Sequence, residues 1–176
     1  MFIKKLYGCL TNEDIYFQSN FIFEQNFNDA LKIANKLIIK YSKNSECYFL
    51  RGDLFLSNNK YTEAINDYDM GIKINKNNAI YFYTRGSALI ETSKFLEAVD
   101  DFQIIIESKY LINRQYILSS AYTFRIIAYC CIGKWEKIHT DIDFVNENFI
   151  TYLYPIKNKI DKKRLEECIN NHIRLE

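Results

Sequence analysis

Glycine and proline are scarce: the 176-residue chain has five of the first and one of the second. An all-β sandwich or barrel needs a turn signal about every 8 to 12 residues, which this composition does not supply. Helices joined by short polar connections fit instead. No stretch approaches the roughly 18 to 20 apolar residues of a membrane-crossing helix, and residues 1–12 carry two lysines but no apolar run of the kind found in a secretory leader. An excess of either charge is also missing. The 23 basic and 22 acidic side chains leave a formal +1, which excludes the strong positive field of a general nucleic-acid binder. The five cysteines (Cys9, Cys47, Cys130, Cys131, Cys168) form no CxxC, and the histidines are His139 and His172 alone. Neither a disulfide framework nor a zinc site fits, and the pattern suits a reducing cytosol. These absences lead to the expectation of a cytoplasmic protein with no cofactor and no metal.

What is present is apolar and aromatic. Hydrophobic residues make up 48% of the chain, with 27 Tyr and Phe and 26 Ile, enough to build one domain-sized core. The arrangement of these residues is periodic. A shift of 34 residues lays residues 45–78 over 79–112 and matches Arg51/Arg85, Gly52/Gly86, Lys60/Lys94, Glu63/Glu97, Ala64/Ala98, Asp67/Asp101 and Ile72/Ile106. Tyr48/Phe82, Phe49/Tyr83, Tyr61/Phe95 and Tyr68/Phe102 exchange one aromatic for another. Such a period marks an internal duplication, and one unit of a repeat array cannot bury its apolar face alone.

The spacing of Tyr48, Gly52, Phe55, Ala64 and Tyr68, repeated as Phe82, Gly86, Leu89, Ala98 and Phe102, resembles the tetratricopeptide repeat. Lys76 and Tyr110 stand where that family has proline. The small residues let the two helices of a hairpin approach, and the aromatics fill the gaps between hairpins. Upstream, Phe27, Ala30 and Ala34 set a degenerate unit at 11–44; downstream, Tyr122, Arg125, Trp135 and Asp141 set one at 119–152, with Gly133-Lys134-Trp135 as the turn before its second helix. The six extra residues before the last unit lengthen its first helix or its incoming loop. The resemblance implies an all-α fold: a right-handed α-solenoid of about four helical hairpins over 1–152, then a loop and a C-terminal capping helix over 153–176. Tyr154-Pro155 breaks the helix pattern, and Asp161 is the N-cap of a last helix with Leu165, Cys168, Ile169 and Ile173 on one stripe.

Chemistry-bearing patterns are few. The pairs Arg51/Asp67, Arg85/Asp101 and Arg125/Asp141 read as packing contacts between a first and a second helix, within or between hairpins, because such pairs fix register more dependably than they add stability. Cys130 and Cys131 point about 100° apart on a helix and read as core. No GxGxxG, phosphate loop or HExxH occurs, and no nucleophile and base stand at a useful spacing. The basic run at 157–164 has no basic stripe to continue it and reads as a solvated cap.

In the family that this chain resembles, first helices line a concave groove. Carried over by position, the groove includes Tyr16, Phe23, Phe49, Asp53, Tyr83, Thr84, Ser87, Thr123 and Phe124. It is aromatic and almost uncharged, which implies a non-enzymatic module for an amphipathic helix or extended apolar segment of a protein or peptide partner. Nucleic acid and membrane are not expected partners, and self-association is the other use of an exposed apolar face. Phe49, Asp53, Thr84, Ser120 and Phe124 do not offer the Lys, Asn and Arg of the family branch that clamps C-terminal carboxylates. The alternative role is a neutralising partner, either a toxin immunity protein or a secretion chaperone.

Overall fold

The computed structural model describes residues 25–108, 115–145, 150–151, 160–173 and 175. Tyr16, Phe23, Cys9 and the Tyr154-Pro155 break lie outside the described residues. Seven helices are described: α1 (Phe27–Lys40), α2 (Ser45–Ser57), α3 (Tyr61–Ile74), α4 (Ala79–Glu91), α5 (Phe95–Glu107), α6 (Gln115–Ile132) and α7 (Lys162–Asn171). Apart from a two-residue antiparallel ladder between β1 (Ile150–Thr151) and β2 (Ile160–Asp161), the architecture is all-α, as the repeat implies. Two compact units divide the chain within α4, between Thr84 and Arg85.

Helices α2 and α4 begin alike, and α2, α4 and α6 end alike, because the same local chemistry recurs. Asn44 caps α2 by accepting from the Glu46 N–H at 2.9 Å, and Asn78 accepts from the Ile80 N–H at 3.1 Å at the start of α4. Each side-chain oxygen satisfies a donor that the first turn leaves unpaired. At the far ends of α2, α4 and α6, Asn59, Ser93 and Gly133 adopt left-handed backbone with φ of 58°, 59° and 70°. The next N–H folds back to a helix carbonyl: Lys60 to Phe55 O at 2.9 Å, Lys94 to Leu89 O at 2.9 Å, Lys134 to Tyr129 O at 3.0 Å. These are Schellman turns, and they set the direction in which the chain leaves each first helix.

In the first unit, α2 and α3 close together at Gly52. A Cβ there would lie 2.7 Å from Tyr68 Cε1, so no other residue lets this ring cross the helix. Ala64 and Tyr68 are fully buried, and Phe49 lies with its ring centroid 4.9 Å from Tyr81 and 6.1 Å from Tyr68. The second unit repeats the device: a Cβ on Gly86 would meet Phe102 Cζ at 2.9 Å, and Ala98 and Phe102 are fully buried.

The hairpin that starts with α6 departs from the expectation. Instead of a second helix after Gly133, two single 3₁₀ turns follow, Trp135–Lys137 and Ile142–Phe144. Ile126 and Ile138 stand here where the two middle hairpins have Gly and Ala, and both are fully buried. Two branched side chains occupy the positions where small residues would let a second helix approach, and the following His-Thr-Asp-Ile-Asp-Phe-Val run has weak helix propensity. The extra residues lengthen α6 to 18 residues, against 13 in α2 and α4.

Asp161 caps α7, accepting from the Arg164 N–H at 2.9 Å, and Leu165, Cys168 and Ile169 are buried. Ile173 is not on this stripe: His172 ends the helix in left-handed backbone (φ 53°), Ile173 N–H turns back to Cys168 O at 2.9 Å, and the Ile173 side chain is exposed. Helix α7 thus begins and ends as the first helices do. Its contact with Trp135, ring centroids 5.7 Å apart at His172, repeats the one between Phe27 and Phe55 at 6.2 Å. It takes the place of the first helix of one more hairpin.

Candidate functional site

The charges of the first helices are engaged within the fold. Arg51 donates from Nε and Nη2 to both carboxylate oxygens of Asp67, at 2.7 and 2.6 Å, and Arg85 does the same to Asp101 at 2.9 and 2.6 Å. Arg125 reaches Asp141 at 2.8 and 2.6 Å, so the bidentate pair survives although the helix that should carry Asp141 does not form. The Asp67 hydrogen bonds hold Arg51 protonated beyond its ordinary range, against the opposing effect of burial. Arg51 also donates to Asn35 on α1 and Arg125 to Gln103 on α5. Each of these two guanidiniums therefore ties its own hairpin together and fastens it to the preceding second helix. The sequence reading found the Arg/Asp pairs, but not Asn35 or Gln103, although these two share a register position.

The residues assigned to a groove separate by burial. Phe49, Asp53, Tyr83, Thr84 and Thr123 are in the packed interior. Position counting gave these five the lining of an open groove, whereas Phe49 packs against the neighbouring first helix through Tyr81. Asp53 accepts from the Tyr68 hydroxyl at 2.6 Å; burial first, then the Asp53 charge, pushes the Tyr68 phenol well above its ordinary range. Thr84 donates to Ile80 O at 3.2 Å and Thr123 to Ser119 O at 2.8 Å, the usual way a buried helix threonine satisfies its hydroxyl.

Ser87 and Phe124 are half-buried, as are Ser120 and Tyr122. Phe124 stacks on Phe102 with centroids 5.7 Å apart and planes 16° from parallel. Tyr122 stacks on Phe144 at 4.3 Å and 12°, and Phe144 remains 52% exposed, an apolar ring on the surface that the sequence reading did not single out. Arg125 is the one charged residue of α6, and it is turned inward to Asp141 and Gln103. The accessible side of α6 is therefore aromatic and hydroxylic. Among the described residues no group of three or more His, Cys, Asp or Glu side chains could hold a metal ion, and no helix is long and apolar enough to cross a membrane.

The family model for the TPR repeat matches residues 52–92, from the close-approach Gly52 through α3 and α4. Residues 52–92 therefore carry a tetratricopeptide repeat. The fold of the chain is similar to those of solved tetratricopeptide proteins. YrrB, described as a TPR protein with an unusual peptide-binding site, is 16% identical over 72% of this chain and 62% of its own, with a TM-score of 0.61. The Arabidopsis OM64 TPR domain is 25% identical over 73% of this chain and 96% of its own, at 0.56. MamA is 18% identical over 72% and 64%, at 0.58. The chain thus spans less than two thirds of YrrB and of MamA. No curated protein matches its sequence.

Proposed function

We propose that the chain is a protein-interaction module that receives an amphipathic helix or extended apolar segment of a partner along its first helices, with Phe124 as the principal contact and Ser87 and Ser120 beside it in sequence register. The tetratricopeptide repeat is a protein-interaction fold rather than a catalytic one. The observation that carries the apolar character of the ligand is the state of α6: its single charge is committed inward, and Phe124 and Tyr122 are left half-accessible on a helix with no other ionised group. A surface of this kind recognises by apolar contact and hydroxyl hydrogen bonds, with aromatic rings as anchors. Peptide binding is also the property for which YrrB is described.

A display selection of random peptides against the purified chain tests this reading. It should return sequences with apolar residues at helical or alternating spacing, and Phe124→Ala should weaken the selected peptide at least tenfold while the melting curve stays cooperative. Selection of acidic C-terminal peptides, or binding indifferent to Phe124→Ala and Ser87→Glu alike, would count against it.

A further inference from the structure

Three of the cysteines belong to two neighbouring helices. Cys130 and Cys131 lie in the last turn of α6, Cys168 lies in the middle of α7, and these two helices pack against each other. Cys130 and Cys168 are fully buried, whereas Cys131 is half-buried and is the α6 thiol with access to solvent. Burial pushes all three thiols up, Cys131 to about 12, and the nearness of Cys168 raises both α6 thiols further. Arg164, one helical turn before Cys168, acts the other way on Cys168 and favours its thiolate. Read from sequence, the tandem pair is plain core; what the fold adds is a third thiol brought from 37 residues further along the chain.

We infer that Cys131 and Cys168 form a dithiol that low-molecular-weight disulfides convert into a cross-link fastening α7 to α6. In the first step the Cys131 thiolate attacks one sulfur of the small disulfide, forming a mixed disulfide and expelling one small thiolate. In the second, the Cys168 thiolate attacks the Cys131 sulfur and expels the other. Two protein thiols are oxidised by two electrons, the small disulfide is reduced to two thiols, and the two protons pass to the leaving thiolates. Because the thiolate is the reactive form and burial disfavours it, the reaction is slow at neutral pH and accelerates as pH rises. The closed loop contains the two 3₁₀ turns and the short β ladder, so the bond constrains the unfolded chain at the segment of the last hairpin that lacks a second helix.

The test is incubation of the full chain with oxidised glutathione at about pH 8.5, followed by peptide mapping under non-reducing conditions. The expected product is a peptide pair joined through Cys131 and Cys168, lost on reduction, with a higher melting temperature for the oxidised chain. Cys130→Ser should leave the product unchanged, while Cys131→Ser and Cys168→Ser should each abolish it. Mapping of the unsubstituted chain is decisive even where a variant folds poorly: a persistent glutathione adduct on Cys131, a bond through Cys130, or no linked peptide overturns the inference.

Discussion

Arg51 grips Asp67 through two parallel hydrogen bonds, Nε to Oδ2 at 2.7 Å and Nη2 to Oδ1 at 2.6 Å, and its Nη1 reaches Asn35 Oδ1 at 2.7 Å on the preceding helix. One side chain thereby fixes both the closure of a hairpin and its register on its neighbour. Arg125 does the same with Asp141 and Gln103. A planar guanidinium with five donors in a fixed fork suits this task; lysine, a point charge, does not.

The two pairs differ in burial, and so should the cost of breaking them. The Arg125 side chain is 10% exposed and that of Arg51 is 25% exposed. Asp141→Ala strands a buried cation and should cost about 3 to 5 kcal/mol, whereas Arg51 can turn toward water and Asp67→Ala should cost less. Arg125→Met combined with Asp141→Leu should recover most of the loss. Urea denaturation of the single and double variants checks the order; equal costs at the two sites would remove burial as the cause.

Two glycines in one hairpin should respond oppositely to alanine. At Gly52 a Cβ would sit 2.7 Å from a ring held by the Asp53 hydrogen bond, while at Gly71 the nearest atom would be 3.5 Å away. Gly52→Ala should destabilise by roughly 1 to 3 kcal/mol through overpacking. Gly71→Ala should be neutral or stabilising by up to about 1 kcal/mol through helix propensity. Thermal melts of both variants decide it.

The turns make a third prediction. Ser93 holds φ 59° where Gly133 holds φ 70° in the corresponding turn. Because left-handed backbone costs an ordinary residue roughly 1 to 2 kcal/mol, Ser93→Gly should raise the melting temperature and Gly133→Ala should lower it. The opposite signs would mean that local contacts outweigh backbone strain.

Alkali should weaken the fold in a defined window. Burial raises Tyr81 from 10.0 to about 12 and Tyr68 well above 10.0, and it raises the Cys130 and Cys131 thiols from 9.0, Cys131 to about 12. The unfolded chain releases these protons first, so their contribution is complete below about pH 9 and is lost as pH climbs toward 12. Each tyrosine contributes a slope of roughly 1.4 kcal/mol per pH unit above pH 10. Urea midpoints at pH 8, 10 and 11, with phenolate absorbance followed in parallel, should show the decline; a flat midpoint would mean that these groups titrate alike folded and unfolded.

The middle hairpins were legible in the sequence because close packing demands specific residues: Gly52 and Gly86 under aromatic rings, Ala64 and Ala98 between helices, Arg paired with Asp at constant spacing. The departure after α6 has its own sequence signal in Ile126 and Ile138, two branched residues at positions where the middle hairpins have Gly and Ala. The Schellman turns were hidden because Asn59, Ser93 and Gly133 share a conformation without sharing a residue type. The lining residues were harder still. Phe49 and Thr123 hold register positions that face a groove by counting, yet a side chain's neighbours depend on how the next helix packs, which no single-chain periodicity records.

Heat-capacity change on binding a selected peptide tests the central claim most directly, since burial of apolar surface makes it negative while ionic recognition leaves a strong salt dependence. A clearly negative value in the unsubstituted chain, an affinity that changes little with added salt, and loss of most of both binding and heat-capacity change in Phe124→Ala are the predicted results. A heat-capacity change near zero, with affinity that collapses in salt and is indifferent to Phe124, would contradict an apolar partner on the first-helix face.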